Sequence, residues 1–287
     1  MIVLFEVLAR LPLSVLHRIG ALIGWMTYLF SKRYSFRLRE NLQKAGLGYS
    51  ESDMKDLLHT NIREMGKGVM ELPWVWRRPF EEVVAGVTQV HGWEHFETAQ
   101  ARGKGVIMLT PHIGCFEIIG LYVAARTAMT CMYRVPRWKF LDKLMHEGRE
   151  RGQMKLAPAD LGGVRQLLKT LKQGHVIGVL PDQVPGNGEG EWAPFFGRPA
   201  YTMTLIGKLA GTSGAAVIMC ASERLPKGKG YALHFTPLSF DADRSIPVQM
   251  NAALEQVIRE HPGQYLWSYN RYKVPRGALP PEASKEH

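Results

Sequence analysis

A histidine and a carboxylate, His112 and Glu117, stand just past an apolar run, Gly105 to Thr110 (GVIMLT), that reads as a strand. On an ideal helix, positions five apart point about 140° away from each other, so the two side chains would not meet there. If His112 lies in the loop and Glu117 in the first helical turn, Gly114 lets the chain fold back and the carboxylate can accept from the imidazole. A carboxylate near a helix N-terminus is also electrostatically favoured. Such a pair is a general base with an orienting acid, and it needs no protein nucleophile when the substrate brings its own hydroxyl. The competing reading is a capped helix with a satisfied histidine at its mouth.

Other groups could converge on the same rim. Arg134 ends the next apolar run, and Arg149 sits in GRERG; guanidinium groups suit phosphate or carboxylate recognition. A third run, His175 to Leu180, ends in Pro181, Asp182 and Gln183. The stretch GNGEGEWAPFFG reads as a mobile flap whose Trp192, Phe195 and Phe196 offer apolar surface to a greasy ligand. Its glycines are not a dinucleotide motif, because no helix follows. His91 and His95 are spaced for a shared metal, but no third ligand lies near and structural histidines are the simpler reading. The three cysteines, Cys115, Cys131 and Cys220, form no CxxC pair and read as buried apolar thiols in a reducing compartment.

The elements that must hold these groups alternate. Strand signals at 105–110, 128–133, 175–180, 215–221 and 231–236 are separated by helical stretches at 117–125, 140–151, 163–172 and 204–212, and another follows at 248–260. Continuous apolar strands between helices predict an α/β fold, with a mixed, mostly parallel central sheet flanked by helices. A helix is expected over 52–72, with Ser52 as cap and Pro73 as stop.

The N-terminus is a different material. Leu11 to Ser31 is mostly apolar, but its uncharged part, Ile19 to Ser31, has 13 residues. Spanning a bilayer takes about 20, so an interfacial or partly inserted helix is expected. No small-residue cleavage site follows, and the segment is expected to persist in the mature protein. Lys32, Arg33, Arg37 and Arg39, with Trp25, Tyr28 and Phe30 before them, suit lipid headgroups. The chain then divides into an apolar and basic segment 1–40, a catalytic domain 41–276 and a Pro-rich flexible tail 277–287. With 46% hydrophobic residues among 287, disorder and fibrous folds are excluded. The balance of 36 Lys plus Arg against 26 Asp plus Glu gives +10, which favours an anionic partner. Nucleic acid is disfavoured, since the charge is scattered and no nucleic-acid-binding motif appears.

Five blocks in order resemble a known family: His112 with Glu117, MYR at Arg134, GRERG at Arg149, PDQ at Asp182 with downstream PFFG, and the closing HPGQYLWSYNRYK. They look like the bacterial lipid A late acyltransferases, the lauroyl and myristoyl transferases of the lysophospholipid acyltransferase superfamily. Pro111 and Glu117, where glycerolipid members carry Asn and Asp, point to the lipid A branch; Tyr269 and Asn270 stand where His-Arg is common. The resemblance implies a glycerol-3-phosphate acyltransferase-like fold and transfer of an acyl chain from an acyl carrier protein thioester to a hydroxyl of a lipid A precursor, at the cytoplasmic face of the inner membrane. It implies that His112 is the base and Glu117 its orienting acid, with Arg134, Arg149, Asp182 and Gln183 binding substrate. No metal or cofactor is implied, because the thioester is a co-substrate. The partners implied are the carrier protein or a coenzyme A thioester, a phosphorylated glycolipid and an anionic membrane surface. Transfer to a lysophospholipid, another glycolipid or an ornithine lipid is the alternative, with a lipid-binding protein without chemistry behind it.

Overall fold

Five helices precede the first strand: α1 (Ile2–Ala9), α2 (Leu13–Phe30), α3 (Lys32–Lys44), α4 (Glu51–Arg77) and α5 (Phe80–Ala85). The computed structural model describes residues 2–281 apart from Arg137 and Asn187, so most of the expected tail lies outside the described residues. Alternation then begins with β1 (Val87–His91), α6 (Trp93–Ala101), β2 (Val106–Leu109), α7 (Phe116–Ala124), β3 (Met129–Tyr133), α8 (Lys139–Arg149) and β4 (Met154–Pro158). It continues through α9 (Leu161–Lys172), β5 (Val176–Val179), β6 (Gly190–Phe195), β7 (Arg198–Met203), α10 (Leu205–Ser213), β8 (Ala216–Arg224), β9 (Tyr231–Leu238) and α11 (Ile246–Glu260).

Seven strands form one sheet in the order β1-β9-β8-β2-β5-β3-β4, parallel except where β8 meets β9, as the alternation predicts. The central strands β2 and β5 are buried along their whole length, which is why they read as unbroken apolar runs. One face of the sheet is covered by α2, α4, α6, α7 and α8, the other by α3, α9, α10 and α11. β2 and β5 pair in parallel with Leu109 opposite Val179. The loops leaving them therefore start side by side, at the strand ends where an open α/β sheet gathers its chemistry.

Three expectations are corrected. Helix α4 is capped by Ser50 and not Ser52, the Ser50 hydroxyl accepting from the Asp53 amide, and it runs through Pro73 to Arg77. Proline inside a helix costs about 3 kcal/mol, but Trp74, Val75 and Trp76 beyond it are all buried in the core and offset that cost. The supposed flap is the hairpin β6–β7, closed by Phe196 and Gly197, both at positive φ. Phe195 and Phe196 are 1% and 5% exposed, so they are core and not a ligand surface. Pro194 and Pro199 face each other across this pair; proline is tolerated there because the hairpin lies outside the main sheet. Strands β1 and β4 also escape the sequence reading: β1 is a largely exposed edge strand and β4 is the opposite edge.

The expected N-terminal apolar helix is α2, flanked by α1 before it and α3 after it. α2 is by length and composition apolar enough to cross a membrane, yet 28% of it is buried against the domain. It docks on α4 through glycines: a Cβ on Gly66 would come within 1.9 Å of the Gly20 carbonyl oxygen, and one on Gly24 within 2.1 Å of the Ile62 oxygen. Beside this contact, buried Arg224 donates to Glu71 from Nε (2.6 Å) and Nη2 (2.5 Å) and to Glu64 from Nη1 (2.6 Å). His17 of α2 bonds the same Glu71 carboxylate at 2.7 Å. Burial alone would raise the Glu71 carboxyl, but the Arg224 charge and the hydrogen bonds from Arg224 and His17 hold it down at about 2, against an ordinary 4.5. A depressed carboxyl stabilises the fold fully above its ordinary value and loses that contribution as the pH falls through the depressed one. The loss between pH 4.5 and 2 should be of order 3 kcal/mol. Equilibrium unfolding followed by circular dichroism should show this acid limb in the native protein and a flatter one in Glu71→Gln; identical limbs would contradict the assignment.

Candidate active site

His112 and Asp182 follow Pro111 and Pro181 at the ends of β2 and β5, each three residues past the paired Leu109 and Val179. The in-register parallel pairing thus delivers them together. His112 Nδ1 lies 2.8 Å from Asp182 Oδ1, and the His112 amide donates to Asp182 Oδ2 at 3.0 Å. Asp182 is buried; burial would raise its carboxyl, yet the His112 charge and the two hydrogen bonds from His112 hold it below the usual range. A carboxylate on Nδ1 fixes that nitrogen as the donor and leaves Nε2 as an acceptor. Gln183 Nε2 donates to it at 3.1 Å. The Nε2 lone pair is thus covered by an amide that a hydroxyl can replace.

Glu117 does lie in the first turn of α7 with His112 in the loop before it. Gly114 between them has φ +57°, and a Cβ there would meet the Ser222 carbonyl oxygen at 2.0 Å. The expected contact between His112 and Glu117 is nevertheless absent among the described residues. Glu117 points under α7, where Arg149 donates to it from Nε at 2.8 Å and also from Nη2, and Trp76 Nε1 donates at 3.1 Å. Burial would raise this carboxyl too, but the Arg149 charge and these bonds keep it below the ordinary value, so it remains an anion. The carboxylate that bonds the imidazole is Asp182, which the resemblance counts among the substrate-binding residues. Arg149 reaches the site from the last turn of α8, whereas Arg134 stands exposed past β3 and makes no side-chain hydrogen bond or ion pair among the described residues.

The closing block forms a strap that the sequence reading left without a role. Leu266 N donates to the His112 carbonyl at 3.1 Å, Gly114 N donates to Gln264 O at 3.1 Å, and Ile113 bridges Tyr265. Asn61 of α4 and Asn41 of α3 hold the strap by its carbonyls at 263, 265, 267 and 269. Tyr269 Oη accepts from the Val184 amide at 3.0 Å, which ties the strap to the Asp182 loop as well. The signal was present in the block's isolated aromatic and amide residues, but not the partners they would find.

Behind the site, between α7 and the sheet, lies a narrow cavity of about 60 Å³. Glu117, Arg149 and Thr110 line it together with Met108, Met129, Met154, Cys131, Gly120 and Gly178. Methionine is flexible enough for such walls to open around an alkyl chain. Cys131, raised by burial to about 12, is a wall and not a thiolate nucleophile. Over residues 1–274 the sequence matches the model of the family described as bacterial lipid A biosynthesis acyltransferase. The chain belongs to that family. The acyltransferase is 28% identical over 276 residues to the lipid A biosynthesis lauroyltransferase of Escherichia coli (strain K12), covering 94% of this chain and 89% of that one. It is also 28% identical over 271 residues to the palmitoleoyltransferase of the same organism, covering 92% and 87%. Similarity to the myristoyltransferase of that organism is 24% over 201 residues, 68% of this chain and 62% of that one. The chain is thus an O-acyltransferase of lipid A biosynthesis.

Proposed function

We propose that the enzyme transfers an acyl chain from an acyl carrier protein thioester to a hydroxyl of a phosphorylated lipid A precursor, with His112 as general base and Asp182 as the carboxylate that orients it. The observation that carries this reading is the Asp182–His112–Gln183 chain of hydrogen bonds, which turns the Nε2 side of the imidazole to where an acceptor hydroxyl can sit. His112 Nε2 takes the hydroxyl proton as the oxygen attacks the thioester carbonyl, and the Asp182 carboxylate stabilises the imidazolium. The carbon–sulfur bond then breaks and the thiol leaves with the proton. The methionine-walled cavity is too small for an acyl chain as it stands and would take the donor's alkyl chain only by opening its walls, and Arg149, at its edge, is suited to a developing or resident negative charge. Because the thioester is already activated, the chemistry calls for no metal or cofactor.

An anionic membrane, the cytoplasmic face of an inner membrane on this reading, is the surface from which the acceptor comes. Val3, Leu4, Leu22, Met26, Leu29 and Phe30 are exposed apolar residues on α1 and α2, with Phe30 at 83%, and Lys32, Arg33 and Arg39 follow on the outer side of α3. Trp138 and Phe140, exposed and stacked on each other, flank the same side: Arg77 bridges Glu6 of α1 to Glu147 of α8. Such a rim of aromatic, aliphatic and basic groups suits an interfacial position with α2 docked on the domain and its outer edge in lipid. Purified enzyme given a panel of carrier-protein and coenzyme A thioesters, with a lipid A precursor in anionic vesicles, should yield a product heavier by one acyl group from the carrier-protein donors. Leu29→Ser with Phe30→Ser should slow that reaction in vesicles and not in detergent. Transfer only to a lysophospholipid, or only from coenzyme A, would overturn the assignment of substrates.

A further inference from the structure

Outside the His112 site, three histidines and a glutamate from four segments meet near the β1 edge of the sheet. His91 of β1 pairs with His234 of β9, and His234 pairs across to Ala221 of β8. Glu223, two residues beyond Ala221, projects on the same face as His234, because strand side chains alternate. His261, the C-cap of α11, completes the group: its ring lies 5.1 Å from that of His234, while the His91 ring stacks on His234 at 4.9 Å. The ligand atoms of Glu223, His234 and His261 all lie within 4.8 Å of one another.

His234 Nε2 is buried with no hydrogen-bond partner among the described residues, and Glu223 Oε2 stands 3.5 Å away. A buried imidazole nitrogen left without a partner is an unfavourable arrangement that native structures seldom keep. Bonds of about 2.0–2.1 Å in a tetrahedron place neighbouring ligand atoms about 3.3–3.4 Å apart. The Glu223–His234 pair already stands near that separation, and the other separations, all within 4.8 Å, need to shorten by at most about 1.5 Å. We propose that Glu223, His234 and His261 bind a divalent transition metal, zinc by its preference for nitrogen and carboxylate oxygen in four-coordination, with water in the fourth place. His91 holds the His234 ring in orientation by stacking. The carboxylate and two imidazoles supply the lone pairs, and no oxidation or reduction is involved. The spacing of His91 and His95 did not point here, because the ligands come together only through strand pairing.

The site has a consequence for the fold. His261 opens the strap whose residues 264–266 bond the His112 loop, and Gln264 N donates to the His261 carbonyl at 3.0 Å. An ion at His261 would fasten that strap to the sheet edge. The test uses the full-length protein free of any histidine tag, stripped with a chelator and titrated with zinc chloride alone. It should retain one zinc per chain by elemental analysis after dialysis, and its Tm should rise by roughly 5 °C at a hundredfold excess over the dissociation constant. His261→Gln and Glu223→Gln, both partly exposed positions, should each weaken zinc at least about tenfold while leaving the Tm of the stripped protein nearly unchanged. Two variants are used so that one that folds poorly does not decide the matter. Absence of stoichiometric zinc at micromolar concentration, or zinc retained equally by both variants, would overturn the proposal.

Discussion

Asp182→Asn is expected to lower kcat for acyl transfer about 10,000-fold while the protein stays folded. An amide in place of the carboxylate can donate to Nδ1, so the imidazole proton moves to Nε2 and the base has no lone pair to offer, a change that costs about 10⁴ where a carboxylate orients a catalytic histidine. The isosteric side chain still accepts from the His112 amide, so the loop should keep its course. His112→Ala should cost a similar factor, and the double variant little more than either, because the two residues act as one unit. Single-turnover acyl transfer with a carrier-protein thioester checks this. An Asp182→Asn enzyme within about tenfold of the native rate would remove Asp182 from the mechanism.

Glu117→Gln is expected to show itself first in stability. The Arg149 guanidinium lies largely buried against Glu117 and over the Trp76 ring, 5.7 Å from its centroid, with Nε and Nη2 both donating to the carboxylate. Removing one partner of such a pair leaves an uncompensated charge and costs about 3–5 kcal/mol, which should lower Tm by roughly 10 °C. Turnover per folded molecule should fall through the displacement of Arg149 at the cavity edge, but its pH dependence should keep the native form, because His112 and Asp182 are untouched. Calorimetry with a pH–rate series checks both parts. A Glu117→Gln enzyme as stable as the native protein, with an altered pH–rate profile, would return Glu117 to the imidazole.

The place of His112 at a strand end was legible in the sequence, and the carboxylate it bonds nearly so. Two apolar strands end in Leu-Thr-Pro-His and Val-Leu-Pro-Asp, and parallel pairing with Leu109 opposite Val179 converts that likeness into an His112–Asp182 contact. Register is invisible in one strand, so the local carboxylate at Glu117 looked like the nearer partner although it turns under α7. Strands β2 and β5 announced themselves because burial on both faces leaves no room for polar residues, and β3, β8 and β9 because most of each is an apolar run turned to the core. Edge strands β1 and β4 carry no such constraint. Pro73 and the GNGEGEWAPFFG stretch misled for a common reason: local breaker chemistry is real, but Trp74 and Trp76 in one case and Phe195 and Phe196 in the other reach the core and outweigh it. The closing block gave the family away by its residues, while its function as a strap depends on carbonyls at Gly263, Tyr265, Trp267 and Tyr269 that composition cannot rank.

The account rests on Asp182, and not Glu117, being the carboxylate that holds the His112 imidazole. Proton NMR of the His112 Nδ1–H tests this most directly, with the resonance assigned through its absence in His112→Ala. A strongly downfield, slowly exchanging Nδ1 proton should be present in the native enzyme and in Glu117→Gln, and lost in Asp182→Asn. Its survival in Asp182→Asn and loss in Glu117→Gln would contradict the account.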